Sequence, residues 1–143
     1  MPESDKRHRS TLATVILLLI IGEAMTFFLA ALLHLGLPLL PGFSQPRIIP
    51  ATIVEGLCGL FLAVSIIALL THRGGTRGIA IAAHIFAIVG VLVGIVSLAL
   101  GTAPADEANT IYHRVILGVL IVVLILLLTP GARDALGRQH AAM

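Results

Sequence analysis

Four long apolar runs, separated by short segments rich in polar residues, glycine or proline, make up most of the chain. Each run has about 20 residues or more, the length that a helix needs to cross roughly 30 Å of hydrocarbon. A backbone inside lipid must satisfy its own hydrogen bonds, and a helix does so. The pattern therefore predicts an all-α membrane protein, an antiparallel four-transmembrane-helix bundle with spans at about Leu12–Leu35, Ala51–Thr71, Gly78–Leu100 and Thr110–Thr129.

The segments around these runs divide the chain into three parts. Residues 1–11 are a basic N-terminus, 12–130 the transmembrane domain and 131–143 a polar tail. Within the domain, the connection at 36–50 holds four prolines and several large apolar residues. A loop in water is usually more polar, so we expect this connection to lie at the mouth of the bundle or at headgroup level.

The composition supports a membrane location. Of the 143 residues, 58% are hydrophobic and 11% are charged, whereas a soluble domain has about a quarter charged residues. The main partner is therefore the lipid bilayer. No basic patch with interleaved aromatic residues is present, so nucleic-acid binding is not supported. The single cysteine, Cys58, excludes an intrachain disulfide.

The distribution of Lys and Arg predicts the orientation, because cytoplasmic loops carry the excess of these residues. Two of the nine, Arg47 and Arg114, fall on one side of the predicted bundle, and seven fall on the side of the two termini. One Lys against eight Arg, with much Ala, Gly, Leu and Val, is typical of a high-GC bacterial gene. We therefore expect a bacterial inner (plasma) membrane protein with both termini cytoplasmic. The seven Lys and Arg residues on the side of the two termini are Lys6, Arg7, Arg9, Arg73, Arg77, Arg133 and Arg138.

Several ionisable residues interrupt the apolar runs. A charge at the centre of a membrane helix costs at least about 2.5–3.5 kcal/mol on insertion scales, and such residues usually face the bundle interior and pair with one another. Their number exceeds what packing alone requires, so they are the candidate functional residues. They are Glu23, His34, Glu55, His84, His113 and Arg114.

Helix geometry places some of these side chains relative to one another. Glu23 and His34 are 11 residues apart, which is about three turns, so they lie on one face and about 16 Å apart along the axis. His34 ends span one on the outer side, where Glu55 and His113 lie in the first turns of spans two and four. These three side chains are therefore predicted to converge near the external face.

The first functional hypothesis is a non-enzymatic bundle that holds a haem or a transition metal, as a subunit of a complex or an electron carrier. His34 and His113 are its candidate ligands and Glu55 a third ligand or a hydrogen-bonding neighbour, because imidazole suits Zn, Cu and Fe. The structural alternative is an ion pair between Glu55 and Arg114, with both histidines turned to water.

The second hypothesis is a proton-coupled transporter or channel component. Acidic residues and histidines inside membrane helices often form proton relays, and Glu23 and His84 form the inner half of such a relay. Four short helices make a cramped transporter, so this hypothesis favours a homo-oligomer or a larger membrane complex. The structural alternative is a protonated Glu23 bonded across helices and a His84 bonded to a carbonyl.

The third hypothesis is an intramembrane enzyme that acts on a lipid or quinone, with Glu and His as acid and base. The sequence contains no CxxC, HExxH, GxSxG or Walker motif. The absence of a nucleophile signature places this hypothesis last and favours a protein that is not an enzyme.

Span three has a stripe of small residues at helical spacing, Ala83, Ala87, Gly90 and Gly94. Small residues let membrane helices approach closely. We expect this stripe to pack within the chain, with a homodimer seam as the alternative.

Three segments, "FFLAALLHLG", "RIIPATIVEGLCGLFLAV" and "NTIYHRVILGVL", resemble parts of an uncharacterised family of small four-helix integral membrane proteins of high-GC bacteria. They include His34, Glu55 and His113. The resemblance implies the same four-helix fold, and the family brings no established activity to carry over.

Overall fold

The computed structural model describes residues 3–39, 46–71, 75–103 and 107–137, with side chains from residue 11 to residue 136 within those ranges. These residues form five helices and no strand. The helices are α1 (Glu3–His34), α2 (Ile49–Leu70), α3 (Thr76–Ala99), α4 (Glu107–Leu128) and α5 (Pro130–Gly137).

The first four helices form the predicted antiparallel bundle. Each packs against its two neighbours in a ring, because α1 contacts α2 and α4, and α3 contacts the same two helices. All four are long and apolar enough to cross a membrane, and the segment of α1 that meets this criterion is Thr11–His34. The fold class predicted from the sequence is therefore confirmed.

The outer surface of the bundle is apolar and its interior contains the polar groups. Leu18, Met25 and Val115 are each at least 60% exposed, as expected for side chains that face lipid. The stripe residues Ala83 and Ala87 of α3 are buried, and a Cβ added at Gly90 or Gly94 would meet side chains of α2 or α4. Small inward residues let the helices approach closely, because lipid supplies no hydrophobic force between them. The small-residue stripe thus packs within the chain.

Glycines with positive φ angles end two of the helices. Gly36, at +87°, follows α1, and Gly101, at +68°, follows α3. Beyond each, an amide donates back five residues, from Leu37 to Leu32 O and from Thr102 to Ser97 O. This hydrogen bonding is typical of a left-handed C-terminal cap. In addition, Ile48 N donates to His34 O at 2.8 Å, which joins the start of α2 to the end of α1.

The short helix α5 was not predicted, since residues 131–143 were interpreted as a polar tail. It begins at Pro130, a residue favoured at a first helical position, and contacts α1, α3 and α4. Ala132 is fully buried and Leu12 packs near Gly131. At the same end of the bundle, Arg77 Nε donates to Leu127 O at 2.7 Å. The tail thus covers one end of the bundle as far as residue 137.

The connection at 36–50 lies partly outside the described residues, because residues 40–45 are not among them. The prediction that the whole loop covers the mouth of the bundle therefore stays a prediction. On either side of that gap, residues 36–39 and 46–47 are mostly exposed.

Candidate functional site

Glu23 and His84 form a hydrogen bond in the interior of the bundle. Their exposed fractions are 2% and 0%, and Glu23 Oε2 lies 2.9 Å from His84 Nε2. The sequence analysis placed these two residues together only as the inner half of a proton relay. The structure shows that they are in direct contact.

The other ring nitrogen of His84 determines how protons are placed in this pair. Nδ1 lies 2.7 Å from Ala80 O, one turn earlier on α3. A carbonyl oxygen only accepts, so Nδ1 carries a hydrogen. Nε2 and Glu23 Oε2 then need a further proton between them, since a bare nitrogen lone pair facing a carboxylate would be repulsive. The pair is therefore either a carboxylic acid with a neutral imidazole or a carboxylate with an imidazolium, and its net charge is zero in both forms.

His34 and Glu55 form a second buried pair, between the end of α1 and the start of α2. Their exposed fractions are 3% and 5%, and His34 Nδ1 lies 2.6 Å from Glu55 Oε2. Two polar atoms of this pair have no hydrogen-bond partner in the described part of the protein, His34 Nε2 and Glu55 Oε1. The sequence-based expectation that both residues lie at one level is consistent with this contact.

His113 is buried on α4 and held by its own helix. Its Nδ1 donates to Asn109 O at 2.8 Å, the same one-turn arrangement as in His84. Its Nε2 edge packs against α3 at Gly94, where an added Cβ would overlap Nε2 and lie 2.6 Å from Cδ2. Gly94 thus provides the space that His113 occupies.

A cavity of about 330 Å³ brings the three predicted residues together, because His34, Glu55 and His113 all line it. Most of its wall is apolar and includes Val54 and Leu98. Tyr112 also lines it, and its buried Oη has no hydrogen-bond partner among the described groups. The sequence analysis missed Tyr112, although its position beside His113 and its being the one tyrosine of the chain were visible signals.

A groove between α1 and α4 reaches Glu23 of the Glu23–His84 pair from the outside of the bundle. Its volume is about 670 Å³, and Glu23 and Tyr112 line it together with apolar side chains such as Leu18 and Val115. Leu18 and Val115 are exposed on the lipid-facing surface. Tyr112 therefore lines both the groove at Glu23 and the cavity at His34 and Glu55.

Comparison of the chain with protein-family models, curated proteins and solved structures found no match. The resemblance to small four-helix membrane proteins of high-GC bacteria therefore stays a prediction, and the site must be interpreted from its own geometry.

The ion pair between Glu55 and Arg114, the structural alternative to a metal site, is not observed among the described residues. Glu55 Oε2 bonds to His34, Glu55 Oε1 has no partner within the described ranges, and Arg114 is exposed. The reason is helix rotation, because Arg114 follows the inward-facing His113 and so points about 100° away from it around α4.

The structure also limits the metal hypothesis. Among the residues that it describes, no three His, Cys, Asp or Glu side chains lie close enough to hold one metal ion. His34 and His113 share a cavity, but the free edge of His113 faces α3 at Gly94. A site with both histidines and Glu55 as ligands would therefore require movement of these side chains.

Proposed function

We propose that the chain is a proton-coupled transporter component of a bacterial inner membrane. The observation that carries this proposal is the Glu23–His84 pair, which is buried and joined by a hydrogen bond of 2.9 Å. An ionisable pair inside a membrane bundle is expensive, and such pairs mark proton or ion pathways. Loading and release of a proton at this pair would switch the interior between two charge states.

The arrangement around the pair favours stepwise passage of single protons over an open, water-filled channel. Phe27, 1% exposed, lies between Glu23 and His34 on the inward face of α1. Tyr112 offers the connection past this ring, since it lines both the groove at Glu23 and the cavity at His34. A proton held at a bottleneck of this kind can be coupled to a substrate. Four helices enclose little space, so we propose that the chain works in a homo-oligomer or a larger membrane complex.

Glu23→Gln tests the proposed function. The glutamine amide can donate to His84 Nε2, so the fold is kept, whereas the titratable proton is lost. We expect proton entry into liposomes containing the protein, measured with a trapped pH-sensitive dye under an imposed pH gradient, to fall at least about tenfold, the size typical of losing a proton-transfer group. Ile67→Val, on the lipid-facing surface of α2 and away from both the groove and the cavity, is the control and should leave entry unchanged. Equal flux in Glu23→Gln and the wild type would contradict the proposal.

The orientation proposed for this membrane protein has both termini in the cytoplasm. It is supported by the seven Lys and Arg residues on that side against two on the other. A reporter enzyme that is active only in the cytoplasm, fused after Met143, should be active, and one that is active only outside should be silent. The opposite pattern would overturn the orientation.

A haem or transition-metal site is the second candidate function, and one observation favours it. His34 presents an unpartnered Nε2 while Glu55 holds its Nδ1, and metal-binding histidines commonly have their second nitrogen bonded to a carboxylate. His113 lines the same cavity. Absorbance and elemental analysis of the purified protein test this candidate. A colourless, metal-free protein that stays so after incubation with haemin, Zn²⁺ and Cu²⁺ would remove it.

A further inference from the structure

The cavity at His34 and Glu55 has a chemistry that the proposed proton site does not use. Three buried polar atoms around it have no partner among the described residues, His34 Nε2, Glu55 Oε1 and Tyr112 Oη. Buried polar groups are almost always hydrogen-bonded, so each such atom requires an explanation. A ligand that bonds to all three would supply one.

The protonation of the His34–Glu55 pair decides which ligand fits the cavity. A net charge on a buried pair is costly, so His34 and Glu55 together favour the form with zero net charge. That form has two possible arrangements. In the first, Glu55 is a carboxylate and both ring nitrogens of His34 carry a hydrogen. In the second, Glu55 is a carboxylic acid that donates to His34 Nδ1, and the imidazole hydrogen is on Nε2. Both arrangements present the same groups to the cavity, an N–H donor at His34 and an oxygen acceptor at Glu55.

The size and walls of the cavity restrict the ligand further. Small-molecule sites have volumes of about 300–1,000 Å³, so about 330 Å³ suits a single ring or a group of that size. Phe27 and Tyr112 supply aromatic faces, against which a flat ring can pack, and most of the remaining wall is apolar. A flat, neutral ring with hydroxyl groups therefore matches both the shape and the polar atoms.

The groove between α1 and α4 offers space for an apolar tail. It is lined mainly by apolar side chains, borders the lipid-facing surface and shares Tyr112 with the cavity. A molecule with a ring in the cavity and an alkyl chain in the groove would have the amphipathic shape of a lipid-soluble cofactor.

We infer that the cavity binds the headgroup of a lipid-soluble hydroquinone. One hydroxyl accepts from His34 Nε2–H and donates to Glu55 Oε1, and Tyr112 Oη bonds to the ring's oxygen substituents. A quinone has only acceptors and leaves Glu55 Oε1 without a donor, so the reduced form binds more tightly. This inference does not rest on the proposed proton site, because it concerns the other Glu–His pair, although the two sites share Tyr112.

The experiment measures binding of three radiolabelled probes to nanodiscs with and without the protein. The probes are a decyl-substituted benzohydroquinone kept reduced, the corresponding quinone, and decylbenzene. We expect saturable, protein-dependent binding of the hydroquinone, binding of the quinone that is several-fold weaker, and only partitioning into lipid for decylbenzene. Hydroquinone retention no greater than that of decylbenzene would overturn the inference and indicate a cavity filled by water.

Variants at the cavity sharpen the test. Ala51 lines the cavity at the start of α2, and Ala51→Leu should block binding by filling it while leaving all three polar atoms in place. Glu55→Ala should weaken binding about tenfold, because it removes the acceptor. Glu55→Gln should bind within about threefold of the wild type, since its amide donates to Nδ1 and its carbonyl still accepts. Val122→Leu, on the lipid-facing surface of α4, is the matched control.

Two further outcomes would contradict the inference. Binding unchanged in Ala51→Leu would place the probe outside the cavity. A Glu55→Gln variant as weak as Glu55→Ala would mean that the site requires a charge, which a neutral hydroquinone does not. Circular dichroism in the same nanodiscs confirms that each variant has kept its helices.

Discussion

Replacing Glu23 with alanine is expected to lower the free energy of unfolding by about 3 kcal/mol, because it leaves a buried histidine nitrogen without a hydrogen-bond partner and creates a cavity. His84 Nε2 loses its only described partner, and Nδ1 is already committed to Ala80 O. His84 is fully buried, so its Nε2 cannot turn to another partner without movement of a helix. Unfolding by sodium dodecyl sulfate in a mild detergent, followed by circular dichroism, measures the change.

Glu23→Gln is the matched control for this prediction. Its side chain has the same shape, and its amide donates to His84 Nε2 in place of the shared proton, so the free energy of unfolding should stay within about 1 kcal/mol of the wild type. Double-mutant cycles place hydrogen bonds between membrane helices at about 0.6 kcal/mol on average. Most of the cost of Glu23→Ala is therefore expected to come from the unpartnered His84 nitrogen and from the cavity. An alanine variant as stable as the glutamine variant would show that the pair contributes little to the fold.

The difference between the two variants also separates structure from function. Glu23→Ala is expected to lose both stability and proton flux, whereas Glu23→Gln is expected to lose flux alone. A pair that serves only packing would tolerate glutamine in both measurements. The combination therefore tests whether the proton itself matters, which a single loss of activity cannot do.

The four membrane helices were predictable to within two or three residues at most boundaries. Span two was expected at about Ala51–Thr71 and is Ile49–Leu70, and span three was expected at about Gly78–Leu100 and is Thr76–Ala99. The reason is physical, because the thickness of the bilayer fixes the length of each apolar run. Helix α5 was missed since it is short and partly polar, and only its packing against three other helices reveals it.

The sequence predicted how deep each candidate residue lies in the membrane, but it did not predict which residues bond to one another. Residue numbers gave the level of Glu55 and His34 along the bundle, and the structure joins these two residues directly. The rotation of each helix about its own axis is set by packing, which the sequence does not give. For this reason Arg114 was expected near Glu55 and is exposed, while Tyr112, one position before His113, lines the cavity and was not identified.

The sequence analysis allowed a His84 bonded to a carbonyl as an alternative but did not identify the carbonyl of Ala80, and the corresponding bond of His113 to Asn109 O was not predicted. Each residue lies four positions after its acceptor, but many residues at that spacing make no such bond. The bond depends on the side-chain rotamer, which the neighbouring helix selects. Gly94 illustrates this selection, because it leaves room on α3 for the His113 ring.

Gly94→Ala is expected to lower the free energy of unfolding by about 2 kcal/mol, the usual cost of forcing an extra carbon into a packed interior. The new Cβ would overlap the His113 ring, which lies buried between α3 and α4. The ring must then rotate, which breaks its bond to Asn109 O, or the two helices must separate. Either change also disturbs the cavity at His34 and Glu55, so Gly94→Ala should weaken the binding of any ligand there.

Two comparisons make this second prediction specific. Gly118 is exposed on α4 and has nothing within 4 Å of an added Cβ, so Gly118→Ala should leave stability unchanged or raise it by about 0.5–1 kcal/mol through lower backbone entropy. In a His113→Ala background, Gly94→Ala should cost almost nothing, since the overlapping ring is gone. The double-mutant cycle should therefore show a coupling of about 2 kcal/mol between positions 94 and 113. An equal cost of Gly94→Ala with and without the imidazole would mean that the glycine matters for helix geometry and not for the space that His113 occupies.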